Sequence, residues 1–168
     1  NLTKLISDPG WPKGLISAIG IRDYFDQLTN WAHFEFDLMI PFKAVATDLI
    51  TGEKIILDSG KVSNAVAASI SVPGMFSPFE FEDKILVDGE LKDPVPVDVV
   101  REMGADIVIA VALTDIIEEV KDPYNIVSIA DRSIDIMLED LTNLSLSDAD
   151  IVLRPHYRGK VSFFMSEN

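Results

Sequence analysis

Three acids crowd one short stretch of this sequence: Asp88, Glu90 and Asp93. Asp88 follows Ile85-Leu86-Val87 and precedes Gly89, so an ionisable group stands at the end of an apolar strand where the chain turns sharply. Strand ends of this kind are where open α/β sheets build their sites. A carboxylate placed there can take the proton of an attacking hydroxyl and hand it to a leaving alcohol. Asp-Gly also reads as a plain turn whose carboxylate bonds nearby backbone N–H groups. Three carboxylates so close together supply oxygen ligands for a hard cation. Their spacing, however, lacks the glycine and the glutamate that a calcium loop needs at its sixth and twelfth positions, and no metal is expected. His33 and His156 stand alone, outside any H-E-x-x-H pattern, and are read as satisfied or exposed rather than as ligands. A glycosidase-type pair carries no signal in a chain with 28 Asp and Glu residues.

The elements that must position Asp88 follow from pattern and punctuation. Residues 1 to 14 carry Asp8-Pro9-Gly10-Trp11-Pro12 and Gly14 and read as loop. Ile21, Tyr24, Phe25 and Leu28 share one helical face, which predicts a helix around residues 17 to 30; Trp31 to Met39 is ambiguous. Phe42 to Asp48 and Glu53 to Asp58 read as antiparallel strands joined at Thr51-Gly52. Lys61 to Ser71 reads as a helix rich in small residues, able to pack its backbone close to a neighbour. Phe79 to Phe81 and Ile85 to Asp88 read as two short strands around Glu82-Asp83-Lys84. Pro94-Val95-Pro96 leads into a brief helix ending at Met103-Gly104, where glycine suits a left-handed cap. Asp106 to Leu113 is apolar on both faces, the pattern of a parallel strand sandwiched between helix layers. A long helix presents Ile126, Ala130, Ser133, Ile134, Met137, Leu138 and Leu141 on one face, and Ile151 to Leu153 reads as a final buried strand. Helix and strand alternate, so the fold class is α/β in a single domain over residues 1–168.

Bulk composition narrows the function. The chain has 168 residues, 48% hydrophobic and 25% charged, the profile of one globular domain. Its formal charge of −14 repels phosphate backbones, and no Lys/Arg cluster offsets it, so nucleic acid is not an expected partner. No apolar run is long enough for a membrane span. There is no cysteine, which removes disulfides, thiolate metal sites and a cysteine nucleophile and makes a cytoplasmic location the simpler expectation.

Several linked segments then occur in a telling order: Ala68-Ser69-Ile70-Ser71-Val72-Pro73-Gly74-Met75-Phe76, Leu86-Val87-Asp88-Gly89, Asp93-Pro94-Val95-Pro96-Val97, and Gly104-Ala105-Asp106 before the apolar strand. Together they resemble the patatin-like phospholipase family, most continuously from about Pro41 to Leu113. The resemblance implies a three-layer α/β/α sandwich and hydrolysis of lipid acyl esters by a serine-aspartate dyad without a cofactor, with Asp88 as the base and Gly89 as the turn after it. It also places the loop of Pro73, Gly74, Met75 and Phe76 near the site, where the Met-Phe pair would touch an acyl chain unless it packs into the core.

Two departures shape the expectations. The family's G-x-S-x-G serine elbow and its glycine-rich oxyanion loop do not occur in this sequence. Ser17, in Gly14-Leu15-Ile16-Ser17-Ala18-Ile19-Gly20, lacks the flanking glycines and falls in a predicted helix. Both motifs lie upstream of the matching region in the family, so truncation is the expected cause, with an incomplete sheet and an inactive fragment as its results. The exposed sheet would then be filled by the missing N-terminal segment or by self-association. The second departure is Glu90, where the family has a small residue after Asp-Gly; it either raises the pKa of Asp88 by like-charge repulsion or points to solvent, the orientation expected here. A binding or scaffold relative that kept the fold and lost the chemistry is the competing expectation. The substrate expected of the enzyme is a lipid or acyl ester met in transient contact with a membrane.

Overall fold

The helix expected over residues 17 to 30 forms as α1, Ala18–Leu28, in a computed structural model that describes residues 16–113 and 125–155. The loop expected over residues 1 to 14 lies outside the described residues. Ile21 is buried and Phe25 packs on the core, whereas Tyr24 and Leu28 face solvent, so the apolar stripe is narrower than its spacing implied. Asn30 and Trp31 end the helix in the left-handed region, at φ 52° and 55°.

The chain divides into two units, Asn1–Lys92 and Asp93–Asn168. In the first, β1 (Ala44–Asp48), β2 (Lys54–Leu57), β3 (Phe79–Phe81) and β4 (Lys84–Asp88) form one antiparallel sheet in the order β2-β1-β4-β3. Both expected hairpins are present. Gly52, at φ +71°, turns the first of them, and the Asp48 carboxylate accepts from the Ile50 N–H at 3.0 Å within that turn. Helix α2, Val62–Ser69, is built of small residues, with Ser63, Ala65, Ala67 and Ala68 all buried. Ala67 and Ala68 join Ala18, Ile21, Ala46, Phe79 and Leu86 in one core.

Register decides which face carries the site. Ala46 pairs with Asp88 and Leu86 with Phe79. Directly opposed residues share a face, and alternate residues of a strand return to it. Asp88 therefore projects from the same face as Ala46 and Leu86, the face that α1 and α2 cover.

The second unit holds α3 (Val97–Glu102), β5 (Ile109–Val111), α4 (Ile126–Ser145) and β6 (Ile151–Leu153), with β5 and β6 paired in parallel. Gly104 follows α3 at φ +94°, the left-handed cap its position predicted. Val95, Val97, Val108, Ala110, Ala112 and Leu146 form this unit's core.

Here the expectation of strands buried on both faces fails. Ile107 and Ile109 are 66% and 58% exposed, Val111 and Leu113 are also exposed, and so are all three residues of β6. Burial is confined to Val108, Ala110 and Ala112 along β5, and among the described residues no second layer covers the face that carries Ile109 and Val111. The face of α4 read as apolar behaves likewise: Ile126, Ala130, Ser133, Ile134 and Met137 are exposed, and burial concentrates at Thr142 and at Leu146, just beyond the helix. The protein is α/β: α1 and α2 pack on the sheet of the first unit, and Val97 of α3 shares the core of the second with Ala110 of β5.

Candidate active site

Asp88 is delivered by a strand whose preceding residues, Leu86 and Val87, are fully buried between β1 and β3. Its backbone N–H donates to the Ser71 carbonyl at 3.0 Å, which ties the end of β4 to the segment that leaves α2. Ser71 is itself buried, its hydroxyl donating to the Ala67 carbonyl at 2.7 Å. The small-residue helix thus fixes the main chain of the candidate base.

The turn after it is built on a close approach. A Cβ placed on Gly89 would lie 2.3 Å from the Val45 carbonyl oxygen, so only glycine lets the chain cross β1 at this point. Gly89–Leu91 then form a single 3₁₀ turn, capped by Asp88. Asp88 Oδ1 accepts from the Glu90 N–H at 2.8 Å. Its Oδ2 has no hydrogen-bond partner among the described residues. The plain turn reading is met by Oδ1, which caps the turn.

Electrostatics favour a base of raised proton affinity. Burial pushes the Asp88 carboxyl above the ordinary aspartate value, and the Glu90 N–H opposes this only in part. The rise comes from desolvation rather than from repulsion by the Glu90 carboxylate. Glu90 itself is half-buried.

The loop Pro73–Phe76 begins two residues after the Ser71 carbonyl that holds Asp88. Pro73 and Gly74 are exposed, Gly74 at φ +88°, while Phe76 packs against the core and Met75 is half-buried. The Ile16 N–H donates to the Met75 carbonyl at 3.0 Å, and the Ser77 N–H to the Ile16 carbonyl at 2.9 Å. Ser17 stands at the N-terminus of α1 and is buried, not raised on an exposed elbow.

Asp93, in the second unit, is buried and accepts from Ser145 Oγ at 3.3 Å. His33 pairs loosely with Glu35 at 4.0 Å, and His156 lies outside the described residues. Among the described residues no group of three or more His, Asp or Glu is arranged to hold a metal ion.

One polar cluster has no local signal in the sequence. Asp26 of α1 is buried and accepts from Ser63 Oγ at 2.7 Å and from Lys61 Nζ at 3.2 Å, across 37 and 35 residues. Burial acts to raise its pKa, but the Ser63 hydroxyl, Lys61 and Arg22 outweigh it and hold the carboxyl below its ordinary value. This cluster fastens α1 to α2.

Comparison with known proteins places these features in a family. The patatin-like phospholipase model matches residues 6–101, and the chain belongs to that family. An uncharacterized NTE family protein of Mycobacterium tuberculosis is 41% identical over 100 residues, which are 60% of this chain and 28% of that protein. A second uncharacterized NTE family protein from the same organism is 47% identical over 58 residues, covering 34% of this chain and 10% of its own length. Patatin-like phospholipase domain-containing protein 7 of Rattus norvegicus is 29% identical over 114 residues, or 66% of this chain and 8% of that protein. The chain thus spans less than a third of the length of these relatives. Among the described residues, no helix is long and apolar enough to cross a membrane.

Proposed function

We propose that this chain is part of a lipid acyl-ester hydrolase, of phospholipase A or lysophospholipase type, in which Asp88 is the base of a serine-aspartate dyad. The observation that carries the reading is the Asp88 carboxylate: half-buried, raised in proton affinity, and with one oxygen unengaged among the described residues. The serine and the oxyanion loop would come from outside these 168 residues.

In the reaction, the serine hydroxyl adds to the ester carbonyl as its proton passes to Asp88. The tetrahedral adduct collapses to an acyl-serine, and Asp88 returns the proton to the departing alcohol. Water, deprotonated by the same carboxylate, then attacks the acyl-serine, and as the fatty acid departs Asp88 returns that proton to the serine oxygen. Gly89 keeps the turn tight enough for Asp88 to stay at the strand end. Pro73, Gly74, Met75 and Phe76 would line the acyl side of the site.

The whole domain, in this reading, is a single three-layer α/β/α sandwich. The apolar face left open on β5 and β6 supports a place for further chain, from an N-terminal segment or from a second copy. A non-catalytic scaffold remains the second reading, favoured by Glu90 after the Asp-Gly turn.

Asp88→Asn in the full gene product tests the assignment. Ester hydrolysis should fall by about 10²–10⁴-fold, the range of general-base catalysis, with the fold retained. Undiminished turnover would refute the role. Labelling of the unaltered gene product by a fluorophosphonate would separate enzyme from scaffold, since only an activated serine reacts.

A further inference from the structure

The segment between α1 and β1 carries apolar side chains that stand almost fully exposed. Phe36, Met39 and Ile40 are 85%, 99% and 78% exposed. Beneath them the Phe34 N–H donates to the Gly60 carbonyl and the Val62 N–H to the Ala32 carbonyl, both at 3.0 Å. The Gly60 N–H reaches Glu35 Oε1 at 2.7 Å, and the His33 N–H reaches Asp37 Oδ2 at 2.8 Å. Phe34 stacks on Phe42 with ring centroids 5.7 Å apart. The stretch tied this way, Ala32 to Asp37, loses little further conformational freedom when it binds.

Its position in the sheet is set by register. Ala44, the first residue of β1, pairs with Leu57, the last of β2, and Asp88 pairs with Ala46. The entry to β1, the Gly60 connection and Asp88 therefore lie toward one end of the sheet. Phe42 is four residues along the chain from Ala46, roughly 13 Å if extended.

The chemistry of the crest selects its partner. Single exposed apolar residues are ordinary, but Phe36, Met39 and Ile40 are three strongly exposed apolar side chains in one short stretch of chain. Glu35 and Asp37 flank it on a chain of net charge −14, so an anionic surface is repelled and polybasic attraction is absent. What fits is a neutral or zwitterionic lipid surface entered by apolar insertion. We propose that Phe36, Met39 and Ile40 form an insertion crest that seats the protein on zwitterionic lipid at the Asp88 end of the sheet. The proposal rests on the acyl-hydrolase reading, because it names where that site would meet its substrate.

The test is flotation of the full gene product with phosphatidylcholine vesicles. It should float with the vesicles, with little dependence on salt. The triple variant Phe36→Ser, Met39→Ser, Ile40→Ser should lower the partition coefficient by about tenfold or more at an unchanged melting temperature. Phe36→Ser alone should lower it by less, because its two neighbours remain. Absence of wild-type binding would overturn the proposal, as would binding that survives the triple substitution. So would a dimer that the triple variant dissolves, in the absence of vesicle binding, since the crest would then be a contact between copies. Because flotation needs no catalysis, failure here with hydrolysis still lost in Asp88→Asn would remove the crest and leave the dyad. Binding by the crest with full turnover in Asp88→Asn would do the reverse.

Discussion

Asp88 and Asp26 are two aspartates displaced in opposite directions, and their environments say why. Asp26 is surrounded by a hydroxyl and a lysine, and Asp88 by apolar burial relieved by a single N–H. The folded pKa of Asp26 is depressed, so its contribution to stability is present above the ordinary aspartate value and is lost as pH falls through the folded one. For Asp88 the sign reverses: its raised pKa means the native state holds more protons there than the unfolded chain, and stability falls as pH rises through that range. Asp88→Asn should therefore raise the melting temperature at neutral pH, since the amide oxygen can still cap the turn. Calorimetry at neutral pH checks this, and a lowered melting temperature would contradict it. The acid limb of hydrolysis by the full gene product should likewise lie above the ordinary aspartate pKa, because the base must be ionised to act. Gly89→Ala should cost about 1–3 kcal/mol in urea denaturation, since its Cβ meets backbone and not a side chain that could swing away. Asp88 and Gly89 were legible because strand, acid and glycine are contiguous. The Asp26, Lys61 and Ser63 cluster was not, because nothing local links residues so far apart in sequence.

At the level of elements, hairpins and small-residue packing read clearly. Thr51-Gly52 and Glu82-Asp83 punctuate strands that pair as expected, and the run of alanines in α2 gives the close packing it predicts. The apolar strand Asp106 to Leu113 misled in one respect. Continuous hydrophobicity shows that a strand is suited to burial on both faces, but says nothing about whether the second layer is present. What organises this second unit instead is Arg101, near the end of α3. Its guanidinium donates to the Ala105 and Asp106 carbonyls at 3.3 and 3.0 Å, to the Asp148 carbonyl at 3.2 Å, and to the Asp150 carboxylate. Asp150 also accepts from the Val108 N–H at 2.8 Å, so one arginine ties the entries of β5 and β6 together. That N–H, and then Arg101, hold the Asp150 carboxyl below its ordinary pKa. Arg101→Met, which keeps much of the stem and removes the donors, should speed amide exchange in Ile109–Val111 and Ile151–Leu153 while leaving Ala44–Asp48 unchanged. Equal exchange in all three strands before and after substitution would count against the clamp.

For the molecule as a whole, charge and exposed apolar surface pull against each other. A net charge of −14 keeps copies apart, while the open face of β5 and β6 would hold them together. Lowering the pH toward the isoelectric point of about 4.3 removes the repulsion and leaves the apolar face. Light scattering should therefore rise steeply on approach to that pH, and Ile107→Lys with Ile109→Lys should blunt the rise relative to the unaltered chain. Scattering unchanged by those substitutions would move the attraction elsewhere. The left-handed pair that ends α1 has a practical consequence of another kind. Trp31 is 54% exposed, and its backbone N–H is fixed to the Asp26 carbonyl at 2.7 Å. It is one of two tryptophans, the other being Trp11. With Trp11 replaced by phenylalanine, the indole of Trp31 becomes a native fluorophore at the start of the segment that carries Phe36 and Met39, and its emission maximum would report the polarity there without an attached dye.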